Sequence, residues 1–442
     1  MSEYADIMIK NLSLFSFRNY LNGDIVSLFF SSKDLIVTPN CKIDSEDENS
    51  EEYTQYVYKT TVKKAKERLD ALGFSIANFE KIFNENLFQA IDYYSFLYHL
   101  NIDFDECDEK IQERVKKRVS FKKWKNSMHK IILYELENGN IRWHESKPPI
   151  GINTECDKII YYSLKDIDAE SFYGLHTDFI DIAYIIRLIL ESCDCDYEIE
   201  LDFSWLQFWD EDCISKALSA TDSIEKTIVL VEGTSDKDIL EFAIDTIYPH
   251  LSDLFYFMDF DDTIGGKRDG GTSYVIKNLK TFYFSKLKSR FIAIFDNDAE
   301  GYQSQCILLN EIKQWPNNFR ILRYPEIKMF NKYPTIAPNG TIIMDNINKK
   351  ACSIELYLPD SIIKTNGEYF PIEWETRKKI KLADGSEEAL YQGVISQKDD
   401  IKKNFHKLRK SIKNGEKTFQ YEDWERMRYL LDTIIFAFVK NN

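Results

Sequence analysis

The chain has 442 residues, of which 44 % are hydrophobic and 14 % aromatic, with 30 Phe and 26 Tyr. That is too long for one ordinary core and too rich in apolar material for wholesale disorder, so two or three packed domains are expected. The net charge of −16 excludes a globally basic nucleic-acid binder, but leaves room for local basic faces and for carboxylates gathered around a metal.

Residues 1–40 carry short apolar runs, such as Ile7–Ile9 and Ile25–Phe30, that read as strands. The stretch "DSEDENSEE" (44–52) holds six acids in nine residues and reads as a solvated loop. From 54 to 137 the pattern is mostly helical, in "VKKAKERLDAL", "LFQAIDYYSFLYHL" and "EKIQERVKKRV". "TDFIDIAYIIRLILESC" (177–193) predicts a helix, and "YEIELDFSWLQFW" (197–209) alternates like a half-exposed strand. The run "RVKKRVSFKKWKNSMHK" (114–130) contains eight Lys or Arg and no acid, with Phe121 and Trp124 interleaved. Lys116, Lys117, Lys122 and Lys123 in it are candidates for contacting nucleic acid; a solvated helix face is the competing reading.

After residue 225 the rhythm changes. A strand ends at Val231, and a helix runs from about Ser235 to Ile247. "LFYFMDF" (254–260) is a strand leading into a Gly-rich loop, followed by a helix at about 273–287. "RFIAIFDND" (290–298), a helix at about 301–313 and "NFRILRYP" (318–325) complete the series. Strands alternating with helices predict βαβ units and a parallel sheet. The rest, about 360–442, reads as charged and mainly helical, with "YLLDTIIFAFV" as a packed helix.

In such a sheet, sites lie beyond the carboxyl ends of the strands. The first strand delivers Glu232, with Asp236 just after it, and the third delivers Asp296, Asp298 and Glu300. If those strands are neighbours, four or five carboxylates converge and repel one another unless a cation neutralises them. Mg²⁺, which takes a few carboxylates and keeps several waters, suits this set. Gly233 and Gly301 allow tight turns and close approach of a substrate backbone. Lys237, next to Asp236, and Lys267 and Arg268, in the Gly-rich loop, are candidates for phosphate contact.

"VEGTSDKDIL" followed by "FDNDAEG" resembles the Toprim domain shared by topoisomerases, primases and nucleases of the overcoming-lysogenization-defect (OLD) type, and is most similar to the nuclease branch. The resemblance covers about 226–325. It implies an α/β Toprim fold, a parallel sheet flanked by helices. It also implies that Glu232 acts as general acid/base or metal ligand, that Asp296 and Asp298 hold Mg²⁺ or Mn²⁺, and that Asp236 supports a second ion. Glu300 sits where that family varies. Glu355, in "ACSIELYLP", resembles the later Glu of OLD-like nucleases, and an ordinary amphipathic segment explains it equally well.

The opening "SEYADIMIKNLSLFSFRNYL" resembles the domain found ahead of HEPN ribonuclease or Toprim domains in bacterial proteins. The HEPN signature, an Arg followed four to six residues later by His, is absent, since Arg142 precedes His144 by two and Arg118 precedes His129 by eleven. The expected layout is an α+β N-terminal domain (1–222) for docking, sensing or substrate binding, a Toprim catalytic domain (225–358), and a mainly helical C-terminal region (359–442).

The resemblance implies a metal-dependent endonuclease acting on DNA or RNA, tRNA included, as an effector in antiphage defence. A toxin-like or regulatory subunit held inactive until a partner releases it is the alternative, and a topoisomerase or primase is a further one. No P-loop pattern occurs, so any ATPase would be a separate protein. Self-association into a homo-oligomer is a further expectation. The eight scattered Cys give no zinc or disulfide framework, the N-terminus lacks a signal-peptide layout, and no apolar run approaches a membrane span. A cytoplasmic protein without a membrane partner is expected.

Overall fold

The computed structural model describes residues 4–42, 52–92, 113, 117–143, 151–166, 171–208, 211–259, 271–381 and 386–439. The chain divides into two compact units, Met1–Ile224 and Glu225–Lys440.

The first unit is built on an antiparallel sheet. Its strands are β1 (Tyr4–Ile9), β2 (Leu12–Arg18), β3 (Leu35–Lys42), β4 (Glu52–Thr61) and, after a two-residue pair β5 (Ser171–Phe172) and β6 (Leu175–His176), β7 (Glu198–Asp202). The order is β2-β1-β7-β4-β3, with Leu201 facing both Ile7 and Tyr58. Alternation does the work here: Ile7, Ile9, Ile199 and Leu201 are fully buried, while their neighbours in sequence are more exposed.

Helices α1 (Gly23–Phe29), α2 (Val62–Ala71), α3 (Ile76–Ala90), α4 (Phe121–Asn138), α5 (Glu155–Lys165), α6 (Ile182–Glu191) and α7 (Glu211–Leu218) complete the unit. The run Ile25–Phe30, expected as a strand, lies mostly in α1. The Asn22 side chain accepts from the N–H groups of Asp24 and Ile25 and so caps a helix that a six-residue apolar run cannot reveal by period. Of the helical pattern expected after Leu87, α3 ends at Ala90, and residues 93–112 lie outside the described residues.

The second unit carries a four-stranded parallel sheet made of β8 (Thr227–Leu230), β9 (Phe255–Met258), β10 (Phe291–Phe295) and β12 (Phe319–Arg323), in the order β12-β10-β8-β9. Helices α8 (Thr234–Ile247), α9 (Thr272–Phe284) and α10 (Ala299–Glu311) connect them. The first and third strands are therefore direct neighbours, with Phe291 opposite Ile228. All five residues of β10 are buried, as a central strand requires.

Beyond β10 the chain breaks at Asp296 instead of running straight to residue 298. The two-residue β11 (Asn297–Asp298) turns to pair with β15 (Ala351–Cys352).

The region expected to be mainly helical contains a long hairpin. Strands β18 (Ile372–Lys381) and β19 (Glu387–Ile395) join β13 (Tyr333–Ile336) and β14 (Ile342–Asp345) in the order β14-β13-β18-β19, and β16 (Lys364–Thr365) pairs with β17 (Glu368–Tyr369). A register shift between Trp374 and Thr376 interrupts the alternation that would have marked β18 as a strand. Helices α11 (Lys398–Lys413) and α12 (Glu425–Ile435) follow, so the helical expectation holds for the later part of the segment. Among the described residues no helix is long and apolar enough to cross a membrane, and all seven Cys are free.

Candidate functional site

The parallel sheet sends two carboxylates to one place. Glu232 follows β8 and Asp296 follows β10, and the Asp296 N–H donates to Glu232 Oε1 at 3.0 Å. The Gly271 N–H donates to the Glu232 carbonyl at 2.9 Å, which pins the first strand tip to the start of α9. Asp296 Oδ1 is buried without a hydrogen-bond partner. Burial, with Asp298 close by and Asp236 and Glu300 adding to it, pushes the Glu232 carboxyl up to about 8, even though the Asp296 N–H works the other way. Asp296 rises well above the carboxylate range, first by burial and then by the charges of Glu232, Asp236 and Asp298.

Asp236 lies in the first turn of α8 and is buried. Its Oδ1 accepts from the Tyr324 hydroxyl at 2.7 Å, just past β12. Burial raises it to about 6, with Glu355 pushing further up and the Tyr324 hydrogen bond and Lys398 pulling down.

Glu355 is fully buried. Lys398 Nζ stands 3.2 Å from Glu355 Oε1, while neither Glu355 oxygen has a hydrogen bond of ordinary geometry. Although burial works against its charge, Lys398 stays protonated to higher pH than usual because Glu355, Asp296 and Asp236 surround it. Lys398 carries no motif; its only signal in the sequence is a place at the head of the basic helix α11.

Asp298 caps α10: its Oδ1 accepts from the Gly301 N–H at 2.7 Å, and its Oδ2 accepts from Gln392 Nε2 at 2.6 Å. Glu300 is exposed, accepts from the Thr272 hydroxyl at 3.1 Å, and donates its N–H to Gln392 Oε1 at 3.0 Å. A Cβ at Gly301 would fall 2.2 Å from the Asp296 carbonyl oxygen. The close approach expected at this glycine is thus made by the chain's own strand tip. Gly233 is the extended residue ahead of α8, with φ −153°. Lys237 is partly exposed and lies 5.7 Å from the centre of the Tyr256 ring. Lys267 and Arg268 lie outside the described residues.

Among the described residues no three Asp, Glu, Cys or His side chains close around a common point, so the tips are not a finished metal cage. Mg²⁺ does not require one, because one or two carboxylates with waters and substrate oxygens suffice. The donor chemistry fits such an ion: Asp296 Oδ1 is an orphaned acceptor, and Glu232 and Asp296 resist ionising together.

The two units carry different information. Residues 1–208 match the HEPN/Toprim N-terminal domain 1. No curated protein and no solved structure matches the chain.

Within the matched residues 1–208, the basic run is not the aromatic-studded surface expected from sequence. Phe121 and Trp124 are buried with Met128, Ile131 and Ile132 on one face of α4. Their spacing of three and four is the core stripe of a helix. Lys117, Lys122 and Lys123 are exposed, and Lys116 lies outside the described residues. Several cations of the run are matched by acids of the same domain, as in Lys117–Glu113 at 3.5 Å, Arg118–Glu155 at 3.0 Å and Lys130–Asp157 at 2.9 Å.

Proposed function

We propose that the chain is a metal-dependent phosphodiesterase of the Toprim type, an endonuclease acting on DNA or RNA with Mg²⁺ or Mn²⁺. The observation that carries the reading is the Asp296 N–H bonded to Glu232 Oε1, which joins carboxylates from two adjacent parallel strands at the end of the sheet where α/β proteins bind ligands. The match of residues 1–208 to a domain named for its HEPN and Toprim companions supports it.

Glu232 and Asp296 would hold the ion, with Asp298 beside them and Asp236 and Glu355 supporting a second one. When bound, the metal supplies Lewis-acid charge at the phosphoryl oxygens and makes a water more acidic. The rise of Glu232 to about 8 without an ion is the cost that a bound cation would relieve; service as general acid/base is the alternative to holding the ion. The Tyr324 hydroxyl fixes Asp236 on one side of the cluster. Lys398 offsets part of the negative charge that would otherwise repel a phosphodiester. In this reading the N-terminal domain docks substrate or a partner, a separate ATPase being one candidate, and the enzyme serves as a defence effector.

The test incubates the full chain with plasmid, single-stranded DNA and total tRNA, in Mg²⁺ and Mn²⁺ in parallel. Cleavage should appear with at least one substrate and vanish in Glu232→Gln and Asp296→Asn. Cleavage that survives both substitutions rejects the assignment.

A further inference from the structure

Strand β19 packs its inner face on α10. Leu390 belongs to a small core with Ala299, Cys306 and Ile380, with Tyr302 against it. Gln392 is the next inward residue, and it is only 8 % exposed. A buried amide on such a face costs stability unless each end is satisfied. Here each end is: Nε2 donates to Asp298 Oδ2 at 2.6 Å, and Oε1 accepts from the Glu300 N–H at 3.0 Å.

The hairpin is shaped to bring that amide in. The register shift in β18 lies opposite the Gln392–Gly393 step, where Thr376 faces Gln392 and Trp374 faces Gly393. Bulges of this kind re-aim a neighbouring side chain. Gly393 then lets β19 press against β15: a Cβ there would come within 2.6 Å of Ile372 Cγ2 and 3.0 Å of Ala351 Cβ. The Gly393 N–H also donates to the Lys350 carbonyl at 3.0 Å. Since β15 pairs with β11, which contains Asp298, the hairpin and the carboxylate are held by one continuous set of contacts.

We propose that Gln392 is a positioning residue for the strand-tip site: it fixes one oxygen of Asp298 and the first turn of α10, and so makes the C-terminal hairpin part of the metal-binding apparatus. This rests on the nuclease reading above. With Oδ1 committed to the helix cap and Oδ2 to Gln392, the Asp298 carboxylate is held in one orientation, close enough to Glu232 and Asp296 for their charges to interact. Loss of an outer hydrogen bond of this type commonly weakens metal binding by about 10–100-fold.

The experiment titrates Mn²⁺ into the full chain by calorimetry and measures the Mn²⁺ dependence of nucleic-acid cleavage, for wild type, Gln392→Met, Gln392→Glu and Gly393→Ala. Gln392→Met keeps the volume and removes both hydrogen bonds. It should melt within a few degrees of wild type in EDTA, bind Mn²⁺ about tenfold more weakly, and recover much of its rate at high Mn²⁺. Gln392→Glu, which sets a second carboxylate against Asp298, should bind more weakly still. Gly393→Ala should shift Mn²⁺ affinity in the same direction by displacing β19. Wild-type Mn²⁺ affinity in Gln392→Met overturns the role of Gln392 and leaves the nuclease reading standing. A wild-type chain that neither binds Mn²⁺ nor cleaves overturns both.

Discussion

Replacing Glu232 by Gln should stabilise the metal-free protein while abolishing the proposed cleavage. The amide keeps an oxygen to accept the Asp296 N–H that Glu232 Oε1 now accepts at 3.0 Å, so the geometry of the tip is preserved. What disappears is the charge. The folded protein raises Glu232 from 4.5 to about 8, so the unfolded chain ionises first as pH rises. The stability linked to this group is present below pH 4.5 and is lost progressively toward pH 8. At about 1.4 kcal/mol per pH unit, the whole span corresponds to roughly 5 kcal/mol. Glu232 titrates together with its acidic neighbours, so one substitution should recover only part of this, about 2 kcal/mol. That is a rise in Tm of about 4–8 °C for a unit of this size. The assay is thermal melting in EDTA from pH 5 to pH 8, repeated with Mn²⁺. Wild type should lose ground to Glu232→Gln as pH rises, and Mn²⁺ should restore wild type far more than the variant. A variant that melts at or below wild type at pH 8 in EDTA, and responds equally to Mn²⁺, refutes the electrostatic account of the site.

Gly301→Ala should destabilise the second unit by about 3 kcal/mol or more in urea titration, because the added carbon meets the backbone oxygen of Asp296 at 2.2 Å and neither main chain can yield cheaply. Lys398→Met leaves the fully buried Glu355 without its ion-pair partner and should cost about 3–5 kcal/mol; the double variant with Glu355→Gln should regain most of that stability, measured by the same titration, without regaining cleavage. In the N-terminal domain, Trp124→Ala should cost about 3–5 kcal/mol by emptying a core position. Lys122→Ala with Lys123→Ala should change stability by no more than about 0.5 kcal/mol, while any nucleic-acid binding by this face should weaken and show a shallower salt slope.

The parts of the molecule that were legible in the sequence are those governed by local period and by turn chemistry. Strand and helix alternation after residue 225 announces the parallel sheet; the adjacency of β8 and β10, which the sequence left as a condition, is what brings Glu232 and Asp296 together. Phe121 and Trp124 were legible too, had the helical spacing with Met128 and Ile131 outweighed the surrounding lysines. Ile25–Phe30 was not, because a short apolar run serves a strand or a helix equally and the deciding signal is the cap at Asn22. The β18–β19 hairpin was hidden by its own bulge, which breaks the two-residue alternation beside Gln392.

Lys398 and Gln392 were illegible for a different reason. Each is an ordinary polar residue whose meaning lies in a partner far along the chain; Gln392 and Asp298 are 94 residues apart. A motif records which residues face a reacting group from its own strand and turn, and here the Toprim-like pattern supplies the carboxylates and nothing to hold them. Clustered carboxylates left to themselves repel, spread and take up protons. The C-terminal segment opposes each tendency with a separate device: Lys398 brings positive charge to Glu355, Asp296 and Asp236, Gln392 locks Asp298, and Gly393 lets the hairpin come close enough for Gln392 to reach. The βαβ core and the hairpin that follows it are therefore one structural element, because the core presents a charge arrangement that it cannot stabilise alone.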